Sequence, residues 1–185
     1  TIRSSIAQQI LVHGDTVHDI ALKVSNAEAF YNETIKRGAV SAEPLTEWID
    51  FAGTIRRAAI HTYGDVVHSI VERNNYNGQF WPGFVPYTEL FQPFPVRGSE
   101  VGLRAFDHAV GNVELGKMIH WVGFYRDVLG FTEIQGFSDE DISTEYSALM
   151  SKVMSDGTGK VKFPINEPAT GKRKSQIEEY LDFHE

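Results

Sequence analysis

The sequence predicts an α+β fold made of two copies of a βαβββ module with mostly antiparallel, curved sheets. Two observations support this prediction. The order strand, helix and then several short strands separated by turn residues occurs twice within the 185 residues. In addition, residues 17–24 align in register with residues 106–113, and each following helix contains Phe-Tyr shortly before a terminal Gly. The copies therefore lie about 90 residues apart.

The first copy begins after a short helix that ends at a His-Gly-Asp turn. Ser25 or Asn26 can cap the helix of the module, and Gly38 ends it. The predicted elements up to residue 72 are helix 4–12, strand 17–24, helix 27–37 and strand-like pieces at 39–45, 48–52, 56–63 and 66–72.

The second copy has the same order and is followed by one more helix. Its predicted elements are strand 103–113, helix 118–129, strands 131–137, 145–154 and 160–165, and helix 175–183. A stretch rich in Gly, Pro and aromatic residues, 74–102, separates the copies and is typical of an ordered connection at a domain junction. We expect three parts: residues 1–93, a linker at 94–102 and residues 103–185.

Composition excludes several classes of protein. The net charge is −8, from 17 basic and 25 acidic residues, and such a surface repels the phosphates of nucleic acids. No stretch reaches the ~20 apolar residues that span a membrane, and no signal peptide is recognisable, so a cytoplasmic protein is expected. The absence of cysteine leaves His and carboxylate side chains as the strong metal ligands.

The candidate chemistry lies in polar residues within predicted strands. His108 precedes Val110 by two residues, so both side chains point to one face of the strand 104–113. An inward imidazole can bind a metal, but it is more often a core histidine with a satisfied hydrogen bond. Ser151 and Asn166 lie in apolar strands and are either edge or turn residues or partners of a bound substrate.

Two motifs add a resemblance to a known family: Phe-Pro-Ile-Asn-Glu-Pro at 163–168 and Lys-Ser-Gln-Ile-Glu-Glu-Tyr at 174–180. With them, the chain resembles the 4-hydroxyphenylpyruvate dioxygenase family over essentially its whole length. Shorter matches lie at 13–15, 19–22, 76–84, 107–113, 122–125, 129–132 and 144–149.

The resemblance implies the vicinal-oxygen-chelate fold of repeated βαβββ modules and a non-haem Fe(II) ion held by two His and one Glu. His108 resembles the first iron ligand and Val110 a pocket-lining neighbour. Ser151, Asn166 and Gln176 resemble residues that orient the aromatic α-keto acid. The implied reaction converts 4-hydroxyphenylpyruvate and O2 to homogentisate and CO2 in tyrosine and phenylalanine catabolism, and a homo-oligomer is expected.

One departure from the family is large. Its second His and its Glu lie beyond the final Tyr-Leu-Asp-Phe-His-Glu of this sequence, and His184 matches a variable position there. We therefore expect His108 to be the only metal ligand here, and the 185 residues to be an inactive middle part of a longer enzyme. Two alternatives stay open: hydroxymandelate synthase, which oxidises the benzylic carbon of the same substrate, and a non-catalytic small-molecule-binding module of the same fold.

Overall fold

The structure is a computed structural model that describes residues 4–85, 102–137, 149–168 and 174–184. Regular structure begins and ends close to the predicted positions for all four helices and for most strands. The helices are α1 (Ser5–His13), α2 (Ala27–Lys36), α3 (Met118–Asp127) and α4 (Gln176–His184). The strands are β1 (Leu22–Lys23), β2 (Ser41–Asp50), β3 (Gly53–His61), β4 (Val67–Glu72), β5 (Gly111–Asn112), β6 (Thr132–Phe137), β7 (Leu149–Ser155) and β8 (Lys162–Pro168).

The strands form two four-stranded sheets with the same topology. Their orders are β1-β4-β3-β2 and β5-β8-β7-β6. In each sheet the first strand runs parallel to the last, with Leu22 opposite Ile70 and Gly111 opposite Ile165, and the other neighbours are antiparallel. One helix follows the first strand of each sheet. The predicted α+β fold of two βαβββ modules is confirmed.

The repeat extends to single hydrogen bonds at the helix starts. Glu72, at the end of β4, accepts a hydrogen bond from the backbone N–H of Ala27 at 2.9 Å. Glu167, near the end of β8, accepts one from Met118 N–H at 2.9 Å. A helix N-terminus has unpaired N–H groups and a positive dipole end, so a carboxylate stabilises it. In each module a glutamate of the last strand thus caps the helix of the same module, β4 capping α2 and β8 capping α3.

The two modules share a hydrophobic core. Tyr63 of the first module packs with Val113, Tyr125 and Phe163 of the second in one buried cluster. The β4 residue His68 is fully buried at this contact. Its Nδ1–H donates to Ile20 O at 3.0 Å, so the neutral ring accepts from Tyr125 Oη at Nε2, 2.8 Å away.

Gly111 allows the modules to approach this closely. A Cβ on Gly111 would lie 2.5 Å from the Tyr63 ring, well inside van der Waals contact. The ring therefore fills the space that a side chain on β5 would need. The division into domains at 94–102 stays a prediction, since residues 94–101 lie outside the described residues.

The first strand of each module is much shorter than predicted. Of residues 17–24 and 103–113, only two each form a regular strand, and Asp19 adds an isolated bridge to Val67. Each of these strands is paired on one side, to β4 or β8. Apolar alternation marks the stretch that approaches the sheet, but hydrogen bonding to one neighbour decides how much of it becomes a strand.

The second strand of the first module was predicted in two pieces, 39–45 and 48–52, but is the single strand β2. Register shifts interrupt its pairing with β3 between Ser41 and Thr46. Pro44 lies within this stretch, and proline is tolerated in an edge strand because its missing N–H need not pair. The first part of predicted strand 145–154 lies outside the described residues.

Candidate functional site

Sheet β5-β8-β7-β6 borders a cavity of about 550 Å³. Four of the five residues predicted to form the site line it: His108, Val110, Ser151 and Asn166. Apolar side chains from β6, β7 and β8 make up much of the remaining wall, namely Ile134, Leu149, Val153 and Pro164. The cavity thus combines an apolar wall with a few polar groups, as small-molecule sites commonly do.

Gln176 is not brought to this cavity. It is the first residue of α4 and is exposed. The helix begins with a capping box, in which Ser175 N–H donates to Glu178 and Glu178 N–H donates to Ser175 Oγ. The contact of Gln176 with substrate stays a prediction.

Three polar residues are aligned across the centre of the sheet. Asn166 on β8 lies opposite Ser151 on β7 and opposite Asn112 on β5. Among the described residues, the buried Oδ1 atoms of Asn112 and Asn166 have no hydrogen-bond partner. An unpaired buried acceptor costs ~1–3 kcal/mol, which a donor on a ligand or a water can offset.

Asn112 was not among the predicted site residues. Gly111 and Asn112 lie within the predicted strand 103–113 and are the two residues of it that form β5. The signal available in the sequence was the repeat, which aligns Asn112 with Lys23, another polar residue. Each is the second residue of its two-residue strand, β5 or β1.

His108 lies in irregular backbone before β5 rather than on the inward face of a strand. Its side chain is 49% exposed at the cavity. Nδ1 is 2.8 Å from Asp107 Oδ2, and the other oxygen of Asp107 accepts from Lys162 Nζ at 2.7 Å. The hydrogen bonds from Lys162 and then His108 lower the pKa of Asp107. No described residue bonds to Nε2 of His108.

These groups fit a metal ion only in part. His108 has the free imidazole nitrogen that a ligand needs. However, within residues 4–85, 102–137, 149–168 and 174–184, no group of three His, Asp or Glu side chains could hold a metal ion. The described residues therefore supply one ligand of an iron site and no complete set.

His120 and His184 lie away from this cavity. His120 is exposed on α3 beside Trp121. His184 Nδ1–H donates to His13 O at 2.7 Å and so fastens the end of α4 to the end of α1. Neither ring lines the cavity of His108 and Asn166.

A larger cavity of about 900 Å³ lies between the modules, next to the 550 Å³ cavity. Val17 and Ile20 line it on the first module, while His108, Val110 and Asn112 line it on the second. His108 thus borders both cavities.

In the first module an ion-pair network occupies the equivalent positions. Asp19 aligns with His108 in the repeat. Arg57 aligns with Ser151, because Arg57 pairs with Val71 in the first sheet as Ser151 pairs with Asn166 in the second. The Asp19 carboxylate accepts from Ser69 N–H and Ser69 Oγ–H and lies 3.5 Å from Arg57 Nη2. The polar groups here satisfy one another, whereas those of the second module leave acceptors free.

Solved structures define the class of fold. A triple mutant of 4-hydroxymandelate synthase from Streptomyces coelicolor aligns over 98% of this chain and 50% of its own, with a TM-score of 0.74 and 16% identity. A fusion protein of a xylose isomerase-like TIM barrel and a 4-hydroxyphenylpyruvate dioxygenase aligns over 89% of this chain and 23% of its own, with a TM-score of 0.59 and 16% identity. The chain has the vicinal-oxygen-chelate fold.

No helix of the described residues is long and apolar enough to cross a membrane.

Sequence comparison identifies the relatives. No family model matches the chain. It is 41% identical over 181 residues to a 4-hydroxyphenylpyruvate dioxygenase of Yarrowia lipolytica, covering 97% of the chain and 46% of the relative. It is 43% identical over 173 residues to the 4-hydroxyphenylpyruvate dioxygenase of Tetrahymena thermophila, covering 94% of the chain and 43% of the relative. This chain is a homologue of 4-hydroxyphenylpyruvate dioxygenase, and it spans somewhat under half the length of the relatives it matches.

Proposed function

We propose that this chain forms part of an Fe(II)-dependent dioxygenase that converts 4-hydroxyphenylpyruvate and O2 to homogentisate and CO2 in tyrosine and phenylalanine catabolism. The observation that carries the proposal is the similarity to curated enzymes of this name over more than nine-tenths of the chain. The enzyme is an oxidoreductase that we expect in the cytoplasm and as a homo-oligomer.

The cavity geometry supports the same proposal. An aromatic α-keto acid has a flat apolar ring and polar groups at both ends. Val110, Ile134 and Val153 offer the ring an apolar wall. The free acceptor of Asn166 suits a hydroxyl donor such as that of a phenol. Ser151, buried beside it, can donate or accept. These side chains would fix the orientation of the substrate in the cavity.

His108 would supply one of the iron ligands through Nε2. Bound Fe(II) supplies the redox chemistry by which O2 is used. The other work of this chain is to bind the keto acid, orient its ring and exclude water from the apolar wall. In this proposal the remaining iron ligands come from outside the described residues.

A segment exchange tests the proposal directly. Residues 1–185 replace the matching segment of the Yarrowia lipolytica enzyme, and homogentisate formation and iron content are measured. We expect the hybrid to make homogentisate and His108→Ala to abolish turnover and lower iron occupancy. His120→Ala, an exposed histidine away from the cavity, is the matched control and should leave both unchanged. Full activity of the His108→Ala hybrid would overturn the proposed ligand.

The product separates the two enzymatic alternatives. Hydroxymandelate in place of homogentisate would assign the sequence to benzylic oxidation, and the Pro-Ile-Asn-Glu-Pro setting of Asn166 favours ring hydroxylation. Substrate binding without iron or product in a correctly folded hybrid would instead indicate the non-catalytic binding module.

A further inference from the structure

Asp107 and Lys162 together hold the ring of His108. Asp107 directly precedes His108, and Lys162 is the first residue of β8. Each carboxylate oxygen of Asp107 accepts one hydrogen bond, Oδ2 from His108 Nδ1 and Oδ1 from Lys162 Nζ. Backbone pairing supports the contact, since Ala109 N–H donates to Lys162 O at 3.3 Å. Two elements 55 residues apart in sequence therefore define the position of the carboxylate.

The local backbone allows this contact. In a regular strand, neighbouring side chains point to opposite faces, and Asp107 could not reach the ring of His108 from there. Residues 102–110 have no regular structure, and the carboxylate turns back onto the adjacent imidazole. The irregularity that shortens β5 thus also places a carboxylate beside the ring.

The contact determines which ring nitrogen carries the proton. An ionised carboxylate only accepts hydrogen bonds, so Nδ1 is the donor. In the neutral ring the lone pair then lies on Nε2, which has no partner among the described residues. A ring in this form can bind a metal through Nε2, and a carboxylate on the opposite nitrogen is a common support for metal-bound histidine.

We propose that Asp107, anchored by Lys162, is a positioning residue that holds His108 as the Nδ1–H tautomer with Nε2 directed to the cavity. The consequence for metal binding rests on the proposed function. The tautomer itself is a property of the 185-residue chain and can be measured without metal.

Nitrogen-15 NMR tests the tautomer. Long-range proton–nitrogen spectra of the metal-free chain are recorded at about pH 8, where an ordinary histidine is neutral, and the ring is assigned by its loss in His108→Gln. We expect His108 as Nδ1–H in the wild type, and a shift toward Nε2–H in Asp107→Ala and, more weakly, in Lys162→Met. Asp107→Asn keeps an acceptor oxygen and should retain more of the Nδ1–H form than Asp107→Ala.

The matched control is Asp127→Ala, which removes an exposed carboxylate paired with Arg126 on α3. It should leave the His108 tautomer unchanged. A wild-type ring that is mainly Nε2–H, or one whose tautomer does not change in Asp107→Ala, would overturn the inference.

Iron affinity in the hybrid enzyme supplies the second measurement. Asp107→Ala should weaken Fe(II) binding by about 10- to 100-fold, the effect typical of losing such a support. If the tautomer is as expected but the His108→Ala hybrid stays active, the proposed function fails and the positioning of the ring stands. If His108→Ala abolishes turnover but the ring is Nε2–H, the positioning fails and the function stands. Unchanged iron affinity in Asp107→Ala would overturn the metal consequence.

Discussion

Two asparagines, one at each of the two adjoining cavities, carry buried oxygen atoms that have no hydrogen-bond partner among the described residues. Asn112 and Asn166 belong to neighbouring strands and each has a buried oxygen without a partner. Most buried polar groups in native proteins are paired, so each of these free acceptors can take a hydrogen bond from a water or from a donor on a ligand. In the first module Lys23 and Val71 occupy the positions of Asn112 and Asn166. Asp19 and Arg57, which align with His108 and Ser151, pair with each other there.

Asn166→Leu should therefore impair substrate handling more than folding. The substitution removes an acceptor that the protein itself leaves unpaired, so we expect a small change in thermal midpoint. In the hybrid enzyme kcat/KM should fall by about 10-fold or more, because the ligand loses its partner. Asn32→Leu, on the exposed face of α2, is the control for added apolar area. Equal kcat/KM in wild type and Asn166→Leu would contradict this role.

The carboxylate of Glu167 caps α3 through a buried hydrogen bond and should contribute to stability. Glu167→Ala leaves the buried N–H of Met118 without its acceptor, and should lower the free energy of unfolding by about 1–2 kcal/mol in urea titration. Glu167→Gln keeps an acceptor oxygen and should recover part of the loss. The pseudo-equivalent Glu72→Ala should cost less, because its hydrogen bond to Ala27 is only partly buried. A larger effect at Glu72 than at Glu167 would show that burial does not set the order.

The contact of β4 with α3, made by His68 and Tyr125, should make the stability of the protein depend on pH. Burial lowers the pKa of His68 below its ordinary value of 6.5. The unfolded chain therefore takes up a proton first as pH falls. The stabilising contribution is complete above about 6.5 and is lost as pH falls from there through the pKa of the folded state.

We expect His68→Gln to flatten this dependence. The wild type should lose up to about 1.4 kcal/mol of stability per pH unit below 6.5 from this ring alone, and His68→Gln should lack that part of the slope. His120→Gln, which changes an exposed histidine, should keep it. Parallel stability curves for wild type and His68→Gln between about pH 5 and 8 would show that His68 does not couple folding to protons.

The contact of β5 with the first module depends on the absence of a side chain. Gly111→Ala should destabilise the protein by about 1–3 kcal/mol, because the new Cβ overlaps the buried Tyr63 ring and the core must shift. Gly123→Ala on α3 is the matched substitution, with no heavy atom nearer than 3.9 Å, and should instead stabilise by about 0.5–1 kcal/mol through helix propensity. Thermal unfolding of the two variants should shift in opposite directions.

Periodicity and turn residues predicted the order of helices and strands and the repeat, because local chemistry determines both. Asn26 caps α2 as its position suggested. Sequence could not give the support of His108, since the Asp107–Lys162 contact depends on strand pairing between distant segments. The length of β1 and β5 and the exposure of Gln176 depend likewise on how neighbours pack.

The 185-residue chain by itself should bind iron only weakly. Within the described residues no group of three His, Asp or Glu side chains could hold a metal ion. A site with so few protein ligands leaves most coordination positions to water, so Fe(II) binds weakly. After anaerobic incubation with Fe(II) and desalting, the 185-residue chain should retain far less than one iron per chain by elemental analysis, with no difference between wild type and His108→Ala. The hybrid enzyme, treated in parallel, should retain iron. Stoichiometric iron in the 185-residue chain that His108→Ala removes would show that the chain itself supplies a complete set of iron ligands.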